Sequence, residues 1–245
     1  MLFGPGNSLV LLYDILLDSD LDAFQEQVVE TAKYYKGVLL SELVENNTKR
    51  KSGYFSVCFK QARKNFQLNV LPLLLKLDVP CTLFLQPECI GTNRLPLLEE
   101  IAWFRKEYPA KINESQLSEW EKLIRKDQEV AEQRLQVLRK EIGALPVQNI
   151  GPDAFYMKWG DLLDLNPKQF EFGLHLYCDS EEWVIDSKRY AETQLSRKLV
   201  TSYCAYDTPF TEDKMRHFGF NGLVTERVGT VETGKTNFNL PQWRF

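Results

Sequence analysis

The chain has 245 residues, 44% of them apolar and 12% aromatic, with a net charge of −4. That is enough for one large folded domain with a sizeable core, or two small ones. Charges of both signs are interspersed, which argues against a nucleic-acid protein with its concentrated basic surface, and the basic run Lys49-Arg50-Lys51 reads as a solvated turn.

Residues 8–13 (SLVLLY) predict a fully buried strand. Leu21, Phe24, Val28, Ala32 and Tyr35 recur at helical spacing and predict a helix over 21–35, with Gly37 in the C-cap position. A short segment, 38–47, leads to a strand over 54–59. Residues 65–77 predict a helix with a break or kink near Pro72, which cannot donate its amide. Asp78-Val79-Pro80 closes it before a strand over 81–85. Residues 95–108 predict a helix that stops at Pro109.

Residues 113–142 form the most polar long segment. Leu117, Trp120, Leu123, Ile124, Leu135, Leu138 and Ile142 recur at threes and fours, and Ser118-x-x-Glu121 resembles a capping box. The segment reads as one long or two shorter helices, an insertion over about 111–143. Its alternatives are packing on its own domain and partner binding through the 113–142 helices. Strand and helix then alternate: helix 159–165, strand 170–177, helix 187–199, strand 200–206, helix 211–218 ending at Gly219, strand 220–225, and a short last piece at 238–245. Six or seven strands mostly separated by helices predict an α/β domain spanning 1–245. Its sheet would be mostly parallel, open or closed into a barrel.

No stretch approaches the roughly 18 apolar residues that span a bilayer. Residues 1–18 have no basic leader, and Asp14 interrupts their apolar run, so no signal peptide is expected. The five cysteines, Cys58, Cys81, Cys89, Cys178 and Cys204, are odd in number and form no C-x-x-C pair. They read as reduced, buried thiols of a cytoplasmic protein.

In a β-α-β unit chemistry sits where the first strand ends. Here that place reads Lys60-Gln61-Ala62-Arg63. The order of the surrounding segments resembles the polysaccharide deacetylase family, carbohydrate esterase family 4. "LVLLYD" is similar to its opening Leu-Leu-Tyr-His strand. "YFSVCFKQARKNFQLNVLPLLLKLDVPCTLFLQPECIGT" is similar to its Thr-Phe-Asp-Asp-Gly-Tyr segment, the following helix and "IGT". "MKWGDLLDL" with "FEFGLHLYCD" resembles its Trp-containing helix and "EIGSHTxxH" strand. "YCAYDTP", "FGFNGLVTERVG" and "NLPQWRF" resemble its last three segments. The resemblance covers nearly the whole chain. It implies a distorted (β/α)7 barrel with a helical insertion. It also implies hydrolysis of N-acetyl or O-acetyl groups on sugars such as N-acetylglucosamine polymers. In that chemistry one Asp and two His hold a divalent metal that activates water, and a second Asp is the general base.

Carried over residue by residue, the base Asp falls on Lys60, the metal Asp on Gln61 and the motif glycine on Ala62. The first metal His is retained as His175, the second falls on Asp179, and the opening His on Asp14. A lysine ammonium cannot take a proton from water as a carboxylate does. A glutamine oxygen is a poor zinc ligand beside a carboxylate. One reading follows: a self-neutralised pocket of Asp14, Lys60, Gln61, His175, Asp179, Tyr206 and Asp207. In it Lys60 pairs with Asp179 or Asp14 and no metal cofactor is needed. Such a degenerate member would bind a sugar, a glycan precursor or a partner enzyme of bacterial surface polysaccharide synthesis. A second reading keeps a divalent metal such as zinc on Asp14, His175 and Asp179, with Glu88 and Asp207 near the rim, in an active acyl-amino-sugar hydrolase. Three smaller expectations remain. Cys58, Cys178 or Cys204 could meet His175 as a nucleophile pair or be structural thiols. Tyr13, Tyr206 and Trp243 could stack on a sugar ring or pack the barrel mouth. His217 reads as structural, at a helix end where a cation suits the dipole.

Overall fold

The computed structural model describes residues 7–49, 51–112, 114–143, 151, 155–205, 209–229, 231–232 and 239–242. In chain order these form β1 (Asn7–Tyr13), α1 (Leu21–Ala32), β2 (Lys36–Gly37), α2 (Leu40–Thr48), β3 (Tyr54–Phe59), α3 (Leu71–Leu77), β4 (Cys81–Leu85) and α4 (Leu97–Glu107). There follow α5 (Glu114–Lys126), α6 (Gln128–Ile142), α7 (Trp159–Leu163), β5 (Phe170–Leu176), α8 (Glu181–Leu195) and β6 (Thr201–Cys204). The chain continues through α9 (Glu212–His217), β7 (Gly222–Val228), β8 (Val231–Glu232) and β9 (Asn239–Gln242). The strands join in the order β8-β1-β3-β4-β5-β6-β7-β9, with β2 beside the start of β3. Every pairing is parallel except β1 with β8. β9 comes round to approach β1, so the sheet is curled into an incompletely closed barrel.

The pleat sorts the side chains. Successive residues of a strand point to opposite faces. Phe55, Val57 and Phe59 of β3, Cys81, Leu83 and Leu85 of β4, and Phe170, Phe172, Leu174 and Leu176 of β5 face the helices in one large apolar cluster. The alternate residues Val10, Cys58, Phe84, Tyr203, Val224 and Leu240 fill the barrel interior. Gly173 is required there: a Cβ would lie 2.6 Å from the Phe84 ring and 2.9 Å from the Thr201 carbonyl oxygen. Below them, at the N-terminal ends of the strands, Glu171 accepts from the Ser41 amide at 2.9 Å and the Thr82 hydroxyl at 2.8 Å. Leu40 and Leu43 of α2 plug that mouth.

The insertion is two helices, broken where Asp127 caps α6 by accepting from the Val130 amide at 3.1 Å. With α4 they share a separate apolar cluster of Leu97, Ile101, Phe104, Trp120, Ile124 and Leu135. Trp120 and Ile124 are buried between these helices, so they form no exposed apolar stripe for a partner.

Several local expectations are corrected. Gly37 caps no helix: α1 ends at Ala32, and Gly37 lies in β2, where a Cβ would meet the Phe55 ring at 3.3 Å. Segment 38–47 contains a full helix, α2. Ser118 lies inside α5 and not at its start. The helix expected over 187–199 begins earlier, because Ser180 caps it by accepting from the Trp183 amide at 3.2 Å ahead of Glu181 and Glu182. Pro72 does mark an irregularity: a π-helical turn at Phe66–Val70 precedes α3. Among the described residues no helix is long and apolar enough to cross a membrane.

Candidate functional site

The same pleat that fills the barrel builds a cavity above it. Continuing the interior positions to the C-terminal strand ends brings Asp14 after β1, Lys60 after β3, Gln86 after β4, His175 on β5, Tyr203 on β6 and Glu226 on β7 to one place. They line a cavity of about 250 Å³. The first turn of α4 and the helix α5 supply its other walls, through Leu97, Leu98, Glu99, Glu121, Ile124 and Arg125. Loops at the C-terminal face are where a barrel carries its chemistry.

Lys60 stands at the centre. Its amide donates to the Tyr13 carbonyl oxygen at 2.9 Å, continuing the ladder beyond β3. Its ammonium lies 2.6 Å from Glu226 Oε1 and 3.9 Å from Asp14 Oδ2, and 5.7 Å from the centre of the Tyr203 ring. Tyr203 donates its hydroxyl to the same Glu226 oxygen, and burial, reinforced by that carboxylate, pushes the phenol well above its usual range. His175 packs edge-on to Tyr203 at 4.7 Å and bonds the Lys60 carbonyl oxygen through Nδ1 at 3.1 Å. Burial holds its pKa down to about 3.

Gln61 faces a second layer. Its Nε2 donates to Glu99 at 2.7 Å, and its Oε1 accepts from Arg63, which also donates to Glu99. Arg63 is 2% exposed and lies 4.9 Å from the centre of the Tyr156 ring. The amide oxygen of Gln61 is therefore committed to a guanidinium.

Of the residues expected at the site, Asp14, Lys60, Gln61 and His175 line the cavity, while Asp179 does not. Tyr206, Asp207 and Trp243 lie outside the described residues. Asp179 is exposed three residues beyond β5, and its amide donates to the Arg125 carbonyl oxygen at 2.9 Å, which turns the loop toward α5. The expected Lys60–Asp179 pair is not formed; Glu226 takes that place, and Asp14 is a more distant partner. Glu226 is a site residue that the sequence does not point to, because the strand expected over 220–225 continues to Val228. Carrying the interior period on from Val224 would have found it. Tyr13 points outward, stacked on Phe59 with centroids 5.4 Å apart, and its hydroxyl donates to Gln27 at 2.7 Å. It offers no face to a ligand.

A divalent metal does not fit these residues. Among those described, no three His, Cys, Asp or Glu side chains are close enough together to hold an ion. The trio Asp14, His175 and Asp179 is not assembled, Gln61's oxygen is engaged, and an ammonium already neutralises Glu226. Glu88 lines an adjoining cavity instead. The five cysteines are buried, and Cys204 faces the helices with the outer cluster, away from His175.

No protein-family profile matches the sequence, and no curated protein sequence does. Solved structures do match its fold. IcaB from Ammonifex degensii is similar with a TM-score of 0.65 at 14% identity, over 98% of this chain and 92% of that one. The Streptococcus pyogenes deacetylase PplD, in complex with acetate, gives 0.62 at 12% identity over 99% and 93%. A de-N-acetylase from Aggregatibacter actinomycetemcomitans gives 0.60 at 9% over 97% and 94%. At such identities the likeness shows the fold: an α/β, distorted (β/α) barrel of the deacetylase type, as the resemblance implies.

Proposed function

We propose that this chain is a glycan-binding relative of the polysaccharide deacetylases that does not perform metal-dependent deacetylation. Its context would be surface polysaccharide metabolism, in keeping with the deacetylases that share its fold. One observation carries the reading: the Lys60 ammonium, 2.6 Å from Glu226, occupies the barrel mouth at the strand ends. In the family's chemistry a carboxylate base and a metal work there together. A metal would polarise an acyl carbonyl and acidify water. Lys60 does neither. Its charge is spent on Glu226, and His175 is a neutral hydrogen-bonding group.

What remains is a recognition site. The cavity mixes hydrogen-bonding groups with the apolar walls of Leu97, Leu98 and Ile124. Its 250 Å³ lies just below the range of about 300–1,000 Å³ usual for small-molecule pockets. That leaves room for a single small ring. The test is calorimetry with glucosamine and N-acetylglucosamine oligomers, run beside an assay for acetate release. Heat of binding without acetate supports the proposal. Acetate release that depends on added divalent metal and is lost in His175→Ala would contradict it.

A further inference from the structure

The helices α4, α5 and α6 are a body distinct from the barrel. They pack on one another around an apolar cluster separate from the two that fill and surround the sheet. Inside that body Arg139 of α6 grips Glu100 of α4 through two bonds of 2.7 Å, and Glu100 is 3% exposed. A bidentate pair of this kind fixes the two helices in one mutual orientation.

The seam between this body and the barrel is built differently. Glu99 of α4 accepts from Gln61 at 2.7 Å and from Arg63, both in the loop after β3. Gln128, at the start of α6, donates to the Tyr177 hydroxyl at 2.6 Å, and Tyr177 in turn donates to Glu88 after β4. The Arg125 carbonyl oxygen of α5 accepts from the Asp179 amide at 2.9 Å. Apolar contact across the seam includes the Tyr177 ring, which packs against the helices' own cluster. Voids lie along the seam as well. The cavity of about 250 Å³ has the strand ends on one side and α4 and α5 on the other. A separate cavity of about 310 Å³ lies between Glu88, Cys89 and Trp183 on the barrel side and Gln128, Glu129 and Glu132 of α6. Opening an apolar core exposes its surface to water at about 25 cal/mol per Å². A hydrogen bond broken at a seam is replaced by one to water and costs about 0.5–1.5 kcal/mol net. The seam is thus weaker than either core it joins. At the cavity floor the His175 and Tyr203 rings are 8% and 1% exposed, so the docked helices keep both from bulk water.

We infer that α4, α5 and α6 form a lid that swings as one body away from the barrel mouth, with Glu99 as its latch on the loop of Gln61 and Arg63. The Gly91 amide ties the preceding loop to the barrel by donating to the Met157 carbonyl oxygen at 2.8 Å. Residues 92–96, which form no helix or strand, then lead into α4 and are the hinge. The lid gates whatever ligand the mouth takes, and it stands apart from the glycan reading.

Cys89 reports the motion. It is 2% exposed and lines the cavity beneath α6. Cys58 lies inside the barrel and reacts only when the barrel unfolds. The whole chain is incubated with iodoacetamide in urea well below the unfolding midpoint, and each cysteine is followed by mass spectrometry. Cys89 is expected to label at least about tenfold faster than Cys58, at a rate that hardly responds to urea, because lid opening exposes little surface. Glu99→Gln removes the charge of the latch and speeds Cys89 about tenfold further while Cys58 keeps its rate. Gln128→Ala, which breaks the seam elsewhere, speeds Cys89 about threefold. Cys89 labelling in step with Cys58 in the unaltered chain overturns the inference. A Cys89 rate unmoved by either variant, or a rise shared equally by both cysteines, overturns it too.

Discussion

Replacing Glu226 with Gln leaves the Lys60 ammonium facing Asp14 alone, across 3.9 Å. The lost partner sat at 2.6 Å, with side chains 18% and 26% exposed for Lys60 and Glu226. Breaking a fully buried pair costs about 3–5 kcal/mol, and an exposed one contributes about 0.2–1 kcal/mol. Partial solvent screening places this pair between, at about 2 kcal/mol. For a chain of this size that lowers the melting temperature by roughly 4–8 °C. The Tyr203 hydroxyl still finds an acceptor in the Gln amide oxygen, so the change isolates the charge. Lys60→Met removes the other partner and strands Glu226. The double variant removes both charges and recovers part of the loss. Urea unfolding of the four proteins should therefore give a coupling energy of about 1–2 kcal/mol. Additive losses, with coupling below about 0.5 kcal/mol, would refute the pair and the self-neutralised site with it.

His175 gives a pH signature. It titrates near 6.5 when unfolded and near 3 when folded, so the unfolded chain binds more protons in between. Its contribution is full above 6.5 and is lost as pH falls toward 3, by up to about 1.4 kcal/mol per pH unit. Stability of His175→Gln measured from pH 7 to 5 should fall less steeply than that of the parent; parallel slopes contradict the buried neutral ring. Gly173→Ala drives a methyl to 2.6 Å from the Phe84 ring and should cost about 1–3 kcal/mol in urea unfolding; an unchanged midpoint contradicts the packing. Burial pushes the Cys58 thiol up to about 12 and Cys178 to about 11. Native protein should resist alkylation at all five cysteines, read by mass spectrometry, and label fully in denaturant; rapid native labelling contradicts their burial.

Much of the barrel is legible from periodicity. The buried strands β1, β3, β4 and β5 are short apolar runs with turn signals on both sides, and their order constrains the sheet. α2 is hidden because its apolar stripe, Leu40 and Leu43, is short and plugs the barrel end instead of covering the sheet. The site is half legible for a related reason. Residues directly beyond a strand inherit its alternation, so Asp14, Lys60 and His175 fall where the pleat sends them. Asp179 lies past the strand, where a loop bond to Arg125 decides direction. Glu226 lies on a strand that runs further than its apolar residues suggest. The wall from α5 depends on tertiary packing that no local spacing records.

The proposed function turns on the Lys60–Glu226 pair standing in the barrel mouth in place of a metal site. Zinc titration of the purified chain by calorimetry, with metal content measured beforehand and His175→Ala as control, addresses it most directly. No stoichiometric zinc, and no heat beyond that of the control, is expected. One zinc bound per chain, and lost in His175→Ala, would contradict it and make a metal-dependent acyl-sugar hydrolase the working description.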